Sequence, residues 1–317
     1  MGNRSSGTPA LPASTGADGA RRIRPYCGRF APSPSGDLHL GSLVAAVGSY
    51  LDARHHQGRW LVRMEDLDRS RVIPGCAPRM LRTLERFALC WDGEVLWQSR
   101  RIDAYLDAAR ELSRRGLTFP CSCSRREHSP SGETGYPGTC RAAPAASGPT
   151  ALRFRVPDEE VAFEDRIQGT CCFSLPRLGD FILVRKDGIP AYQLAVVVDD
   201  AEQGITDIVR GADLLESTAW QLALQNALAL PVPRHAHLPL VVEPNEGKLS
   251  KSRRALPVDR GDATASLVAA LRLLRHPPPP QLQHDTPVRV LEWALGHWDP
   301  DLLRGLRSVS LPCSPAL

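Results

Sequence analysis

The sequence predicts an α/β fold built on a parallel, doubly wound sheet, and three observations predict it. Short β-type runs alternate with amphipathic helical stretches over residues 23–116. The first strand, Tyr26 to Phe30, breaks at Pro32, Pro34 and Gly36 and gives way to Leu40, Leu43, Val44, Val47 and Leu51 at helical spacing. A second buried strand, Trp60 to Met64, ends in the acidic loop Glu65-Asp66-Leu67-Asp68, and open α/β sheets bind ligands beyond the carboxyl ends of their strands.

The strand, turn and helix around residues 29–43 read as an anion site. Free backbone N–H groups and the positive end of the helix face whatever lies over the turn. His39 is placed to donate to a phosphate, and Gly41 lets a ligand approach the backbone. Glu65, Asp66 and Asp68 are expected to face the same pocket. Two helices follow, Met80 to Leu89 and Arg101 to Arg115, the second with Tyr105, Leu106, Ala109 and Leu112 on one face. Trp91 and Trp97 between them read as packing residues.

The chain has 317 residues, 42% of them apolar, with a formal net charge of +4. That balance permits nucleic-acid binding without arguing for it. No apolar run is long enough to cross a membrane. Nine scattered cysteines with no secretory leader read as thiols or metal ligands in a reducing cytoplasm, not as a disulfide scaffold. Residues 1–22 are rich in Gly, Ser, Ala, Pro and Arg and read as a disordered tail.

Cys121, Cys123 and Cys140 lie in a Gly/Pro/Ser-rich segment that cannot build its own core. Clustered thiols of this kind read as a zinc knuckle. Structural zinc takes four ligands, and His128 is the ordinary candidate for the fourth.

From Ala151 the chain is β-rich and is expected to form a second layer covering the site. Asp187-Gly188 reads as a hairpin turn, with Tyr192 on the returning arm and an apolar strand, Val196 to Val198, ending at Asp199-Asp200. Arg210 ends a further strand, Gly211 allows a turn, and Asp213 can cap the next helix. An arginine at a strand's carboxyl end can grip a carboxylate through its fork. Arg29 and Arg210 together suit a ligand with two carboxylates. A strand at Leu240 to Val242 then leads into a Gly/Ser/Lys loop, Lys248-Leu249-Ser250-Lys251-Ser252, suited to a mobile lid over nucleotide. Helices are expected at Ala263 to Arg275 and Val288 to Trp298, with little after them.

Two stretches carry a family resemblance. LHLGS, residues 38–42, resembles the HIGH signature of class I aminoacyl-tRNA synthetases, and RFAPSPSG before it resembles the opening of the glutamyl branch. KLSKS, residues 248–252, resembles that family's KMSKS loop, with Leu249 in place of Met, about two hundred residues downstream and in the expected order. DFILVRKDGIPAYQLAVVVDD is similar to a glutamyl-synthetase segment. The resemblance spans roughly residues 24–255. HLGSLVAA, RGADLLEST and the absence of a helical anticodon-reading region favour the short glutamyl-queuosine branch.

The resemblance implies a Rossmann-like catalytic domain in two halves, residues 23–116 and 191–258. An inserted zinc-knuckle and β-rich subdomain would fill 117–190, and a short helical part 259–317. It implies ATP-dependent activation of L-glutamate with Mg2+ and transfer of the glutamyl group to the queuosine cyclopentene ring of tRNA(Asp), whose anticodon stem-loop would enter the site. It further implies His39, Lys248 and Lys251 as catalytic residues and His39, Gly41 and Lys251 at ATP. Arg29, Phe30, Ala31, Pro32, Ser33, Glu65, Tyr192 and Arg210 would contact glutamate, Glu65 through its α-amino group. The branch's Cys-x-Cys…Tyr…Cys pattern puts structural Zn2+ on Cys121, Cys123, Tyr136 and Cys140. A cytoplasmic monomer is expected. The alternatives are a minimal glutamyl-tRNA synthetase acting on tRNA(Glu) and a catalytically idle tRNA-binding paralogue.

Overall fold

The computed structural model describes residues 25–124, 136, 138–142, 148–243, 247–248 and 258–311. The tail at 1–22, His128 and Lys251 lie outside the described residues. The first half runs β1 (Cys27–Phe30), α1 (Leu40–His55), β2 (Arg59–Met64), α2 (Cys76–Arg86), β3 (Leu96–Trp97) and α3 (Ile102–Arg114). β1, β2 and β3 pair in parallel in that order. α1 buries Leu43, Val44, Val47 and Leu51 in a core shared with Trp60 and Val62 of β2. Each such side chain contributes about 1.5–3 kcal/mol by leaving water. Trp91 and Trp97 pack on the same core, as the sequence suggested.

The middle of the chain gives β4 (Thr118–Cys121), α4 (Thr139–Ala142), β5 (Ala151–Phe154), β6 (Glu160–Asp165), β7 (Gly169–Ser174), α5 (Leu175–Leu178) and β8 (Phe181–Val184). β4, β5 and β8 make a small antiparallel sheet. β6 and β7 do not join it. β6 instead pairs in parallel with β10 (Arg234–Leu238), at Asp165 and His235. The β-rich stretch is therefore divided: β6 extends the central sheet and is not part of a separate covering layer.

The second half continues with α6 (Tyr192–Glu202), β9 (Asp207–Gly211) and α7 (Leu215–Ala227), then β10, β11 (Leu240–Glu243) and β12 (Gly247–Lys248). β9 and β10 pair in parallel. Thr206 N–H donates to Cys27 C=O at 2.9 Å, which lays the start of β9 beside β1 and joins the two halves.

Asp187-Gly188 does turn the chain: Gly188 sits at φ +81° and Arg185 N–H donates to Ile189 C=O at 2.9 Å. The returning arm ends at Pro190, however, and Tyr192 opens a helix, so the expected strand Val196 to Val198 is α6. Leu194, Ala195, Val196 and Val197 are all buried, so the segment lacks the polar stripe that reveals a surface helix.

Two C-terminal helices, α8 (Ala263–Leu273) and α9 (Pro287–Gly296), start on side-chain caps. Asp262 accepts from Thr264 N–H and Ala265 N–H, and Thr286 accepts from Arg289 N–H. They close the core over α1, with Leu267, Leu271 and Val290 in the same cluster as Leu43 and Val47. Beyond them β13 (Ser308–Ser310) pairs in parallel with β11, a strand the sequence did not suggest. Among the described residues no helix is long and apolar enough to cross a membrane.

Candidate active site

The carboxyl ends of β1, β2, β9 and β10 open onto one cavity of about 900 Å³. It is lined by Arg29, Phe30, Ala31, Pro32 and Ser33 after β1, by His39 and Gly41 at the start of α1, and by Glu65, Tyr192 and Arg210. Backbone bonds fix the mouth: Glu65 N–H donates to Pro32 C=O and Ile73 N–H to Pro34 C=O, both at 3.0 Å. These two bonds tie the proline turn to the acidic loop and the segment after it.

His39 is the N-cap of α1 and accepts from Ser42 N–H at 3.3 Å. A Cβ on Gly41 would come within 3.2 Å of two ring atoms of His39. The glycine thus makes room first for the imidazole, not directly for a ligand. Lys248 lies on β12, which pairs with β11.

Asp66 and Asp68 do not face the cavity. Asp66 accepts from Ser99 N–H and Oγ at 2.8 and 2.6 Å, and Asp68 pairs with Arg185 at 2.8 Å. Asp213 lines the cavity, but α7 begins without a side-chain cap. Asp37, Ser42 and Arg71 also line the cavity. Nothing in their local sequence pattern separates them from ordinary loop polarity.

Beneath the cavity lies a buried ionic cluster centred on Asp199 and Asp200 of α6. Asp200 takes a fork from Arg29 (Nε 3.1 Å, Nη2 3.2 Å) and a third bond from Arg63 at 2.8 Å. Asp199 accepts from Arg101, Gln98 and Tyr105, each at 2.8 Å. Burial opposes ionisation of Asp200, but Arg29 and Arg63 prevail and hold its carboxyl down at about 2. Arg29 is therefore oriented by Asp200, with Nη1 in no hydrogen bond among the described residues. Exchanging Asp200 for asparagine strands the buried Arg29 guanidinium and leaves Arg63 with Gln203 and the longer contacts to Glu65 and Asp199. D200N is expected to lose about 3–5 kcal/mol in urea unfolding.

Glu65 is the counterpart of that cluster on the cavity wall. Its carboxylate lies 3.8 Å from Arg63 Nη2, and burial pushes its carboxyl up to about 7 despite Arg63 and Arg29. A raised carboxyl binds more protons folded than unfolded between pH 4.5 and 7. Stability should fall as pH rises through that window, by up to about 3 kcal/mol. E65Q should flatten this slope in chemical unfolding at pH 5 and pH 8. A ligand ammonium beside the carboxylate should flatten it in the parent.

Arg210 is of another kind. It is 5% exposed and makes no ion pair with a carboxylate among the described residues. Neutral groups hold it: Nε donates to His237 Nε2 at 3.0 Å, Nη2 to Thr218 Oγ1 at 2.8 Å and Gln221 Oε1 at 2.9 Å, and Nη1 to Tyr192 Oη at 3.4 Å. The pairing with Asp207 or Asp213 that would make it merely structural does not form, since Asp207 goes to Arg234 and Arg166. A buried cation without a counter-ion is a receptor for an anion.

Away from the cavity, the sulfurs of Cys121, Cys123 and Cys140 lie within 4.8 Å of one another. Tyr136 Oη is 3.6 Å from Cys121 Sγ and 3.7 Å from Cys123 Sγ, and Cys123 Sγ is 3.4 Å from Cys140 Sγ. Zinc–sulfur bonds of about 2.3 Å give a tetrahedron with edges near 3.8 Å, so the four atoms fit such an ion. No described cysteine is in a disulfide.

The parallel α/β sheet thus brings the start of α1, Glu65 and a buried arginine without a carboxylate partner to one cavity, an arrangement found in a class I aminoacyl-tRNA synthetase catalytic domain. Residues 27–275 match the model for tRNA synthetases class I (E and Q), catalytic domain, and the chain belongs to that family. It is 53% identical over 276 residues to the glutamyl-Q tRNA(Asp) synthetase of Pseudomonas aeruginosa PAO1, covering 86% of this chain and 94% of that one. It is 50% identical over 289 residues to the protein of that name from Pseudomonas syringae pv. syringae B728a, covering 90% and 97%. Its fold is similar to that of a glutamate-tRNA synthetase from Elizabethkingia anophelis, with a TM-score of 0.76 at 24% identity over 91% of this chain and 68% of that one.

Proposed function

We propose that this chain activates L-glutamate with ATP and transfers the glutamyl group to the queuosine ring at the wobble position of tRNA(Asp). The reading is supported by relatives carrying that name at 50–53% identity over most of their length. Arg210 is the observation that ties it to glutamate: a buried guanidinium with no carboxylate beside it, at the end of the cavity.

In this reading the side-chain carboxylate of glutamate lies against Arg210 and the Tyr192 hydroxyl, and the α-amino group against Glu65. Arg29 Nη1 and the Phe30–Ser33 backbone orient the α-carboxylate. ATP, as its magnesium complex, lies over the start of α1 with His39 and Gly41 near the phosphates. Lys248 and Lys251 stabilise the charge that builds on them. A carboxylate oxygen attacks the α-phosphorus and pyrophosphate leaves. The ring hydroxyl then attacks the acyl carbon and AMP leaves. The carboxylate is already ionised, so alignment and electrostatics carry the first step. The cysteine–tyrosine cluster holds a structural Zn2+, and the RNA partner is the anticodon stem-loop, whose splayed bases suit recognition by a cleft. The protein works as a monomer.

Labelled glutamate and ATP, offered with tRNA(Asp) bearing or lacking queuosine and with tRNA(Glu), test the proposal. Label on queuosine-bearing tRNA(Asp) alone is expected. Label on tRNA(Glu) would point to a minimal glutamyl-tRNA synthetase, and absence of pyrophosphate exchange to an idle paralogue.

A further inference from the structure

Behind Arg210, on the side away from the cavity, two buried side chains form a chain with it. His237 Nδ1 lies 2.6 Å from Asp165 Oδ2, and His237 Nε2 lies 3.0 Å from Arg210 Nε. His237 is fully buried and Asp165 is 3% exposed. Asp165 is itself fixed: its Oδ1 accepts from the backbone N–H groups of Ile167 (3.0 Å), Gln168 (2.8 Å) and His237 (3.1 Å). The residues come from three parallel neighbours, β6, β10 and β9, so the sheet register sets the spacing.

The protonation pattern follows from which groups can only donate. Arg210 Nε carries a hydrogen and has no acceptor capacity, so the ring nitrogen facing it must accept. The proton of neutral His237 is then on Nδ1, aimed at the Asp165 carboxylate. Burial favours the neutral ring as well. Asp165 thus selects a tautomer, and the tautomer fixes the edge of Arg210 that the cavity does not use. With Nε held by His237 and Nη2 by Thr218 and Gln221, only Nη1 remains for a ligand.

We infer that Asp165 and His237 are positioning residues for amino-acid selection: they lock Arg210 as a neutral-backed carboxylate receptor without adding a counter-ion that would compete with substrate. A carboxylate placed directly on Arg210 would fix it equally well and fill its charge. A histidine held in one tautomer fixes it and leaves the charge available. The inference rests on Arg210 receiving the side-chain carboxylate of glutamate.

The test is pyrophosphate exchange by the full chain, with KM measured for glutamate and for ATP. H237N keeps a donor toward Asp165 and withdraws the acceptor from Arg210. D165N lets an amide donate to Nδ1 and turns an N–H toward Arg210. Both should raise KM for glutamate by ten- to a hundredfold and leave KM for ATP within about twofold. H237Q, whose amide oxygen reaches the Nε2 position, should recover most of the loss. Thermal melting identifies variants that fail to fold, and H237Q supplies a folded comparison. Parent-like glutamate KM in folded H237N and D165N, or equal losses for both substrates, would overturn the inference. Absence of glutamate-dependent exchange in the parent would instead overturn the reading of Arg210 on which it stands.

Discussion

R210M is expected to abolish glutamate activation without destabilising the protein. Methionine fills much of the arginine's volume and removes its charge. The lost interaction is the charge-assisted bond from Nη1 to a ligand carboxylate, about 4 kcal/mol because its removal leaves that carboxylate buried without its cation. At 1.4 kcal/mol per tenfold, that is roughly a thousandfold in kcat/KM for glutamate. The stability side runs the other way. Arg210 is buried without a counter-ion, and burial lowers its affinity for its own proton. The ligand-free parent therefore carries a cost that the variant lacks. Of its former acceptors, Thr218 can turn its one hydroxyl hydrogen to Leu214 C=O (3.2 Å) or to His237 Nε2 (3.3 Å), and Gln221 Oε1 loses its donor, a cost that offsets part of that gain. With the gain and the cost opposed, R210M should melt within a few degrees of the parent while nucleotide still binds. A variant that melted far below the parent would show Arg210 to be a structural strut.

The same arginine shows how far local pattern reaches. Arg210 and Gly211 at the end of β9, the turn after β1 and the helical spacing of α1 are short-range features, legible from residues within one turn of each other. What Arg29 does was not legible. Its partner Asp200 is 171 positions away and sits in a segment whose apolar run reads as a strand. Once that run is a buried helix, Asp199 and Asp200 become the charges that three arginines require. The resemblance implies Arg29 at the substrate, and Arg29 lines the cavity, but its orientation is set by a pairing that exists only in the folded chain. Asp165 and His237 were missed for the same reason: neither carries a local motif, and parallel pairing alone brings them together. The cysteine cluster stands at the opposite extreme, since C-x-C spacing is itself the signal.

That cluster carries the other large expected effect. Cys121, Tyr136 and Cys140 form a satellite core with Phe119, separate from the main clusters and small for the backbone it must order. Arg153 stacks 3.9 Å from the Tyr136 ring centroid, and Tyr136 Oη accepts from Cys140 N–H at 2.6 Å, so the phenolic oxygen is held among the sulfurs. Without a metal, burial pushes the Tyr136 hydroxyl and the Cys123 thiol above their ordinary values, while the Tyr136 hydroxyl pulls the Cys140 thiol down to about 6. Metal binding must therefore expel protons, and affinity should fall as pH is lowered. The parent should carry one zinc per chain by elemental analysis. C140S should carry almost none, and its 119–142 segment should become cleavable by protease while the main core melts close to the parent temperature. Y136F is the sharper variant, because it removes one oxygen and leaves three sulfurs. Its zinc should exchange at least tenfold more readily to a chelator, with the protein folded at the outset. Zinc held equally by Y136F and the parent would remove the tyrosine from the ligand set. The segment reaches the first half through the turn after β8: Lys186 donates to Ser122 C=O at 2.5 Å, and Arg185 pairs with Asp68 at 2.8 Å. Both bridges come from the turn after β8, so loss of zinc should slow transfer to RNA more than adenylate formation, which depends on residues the turn does not touch.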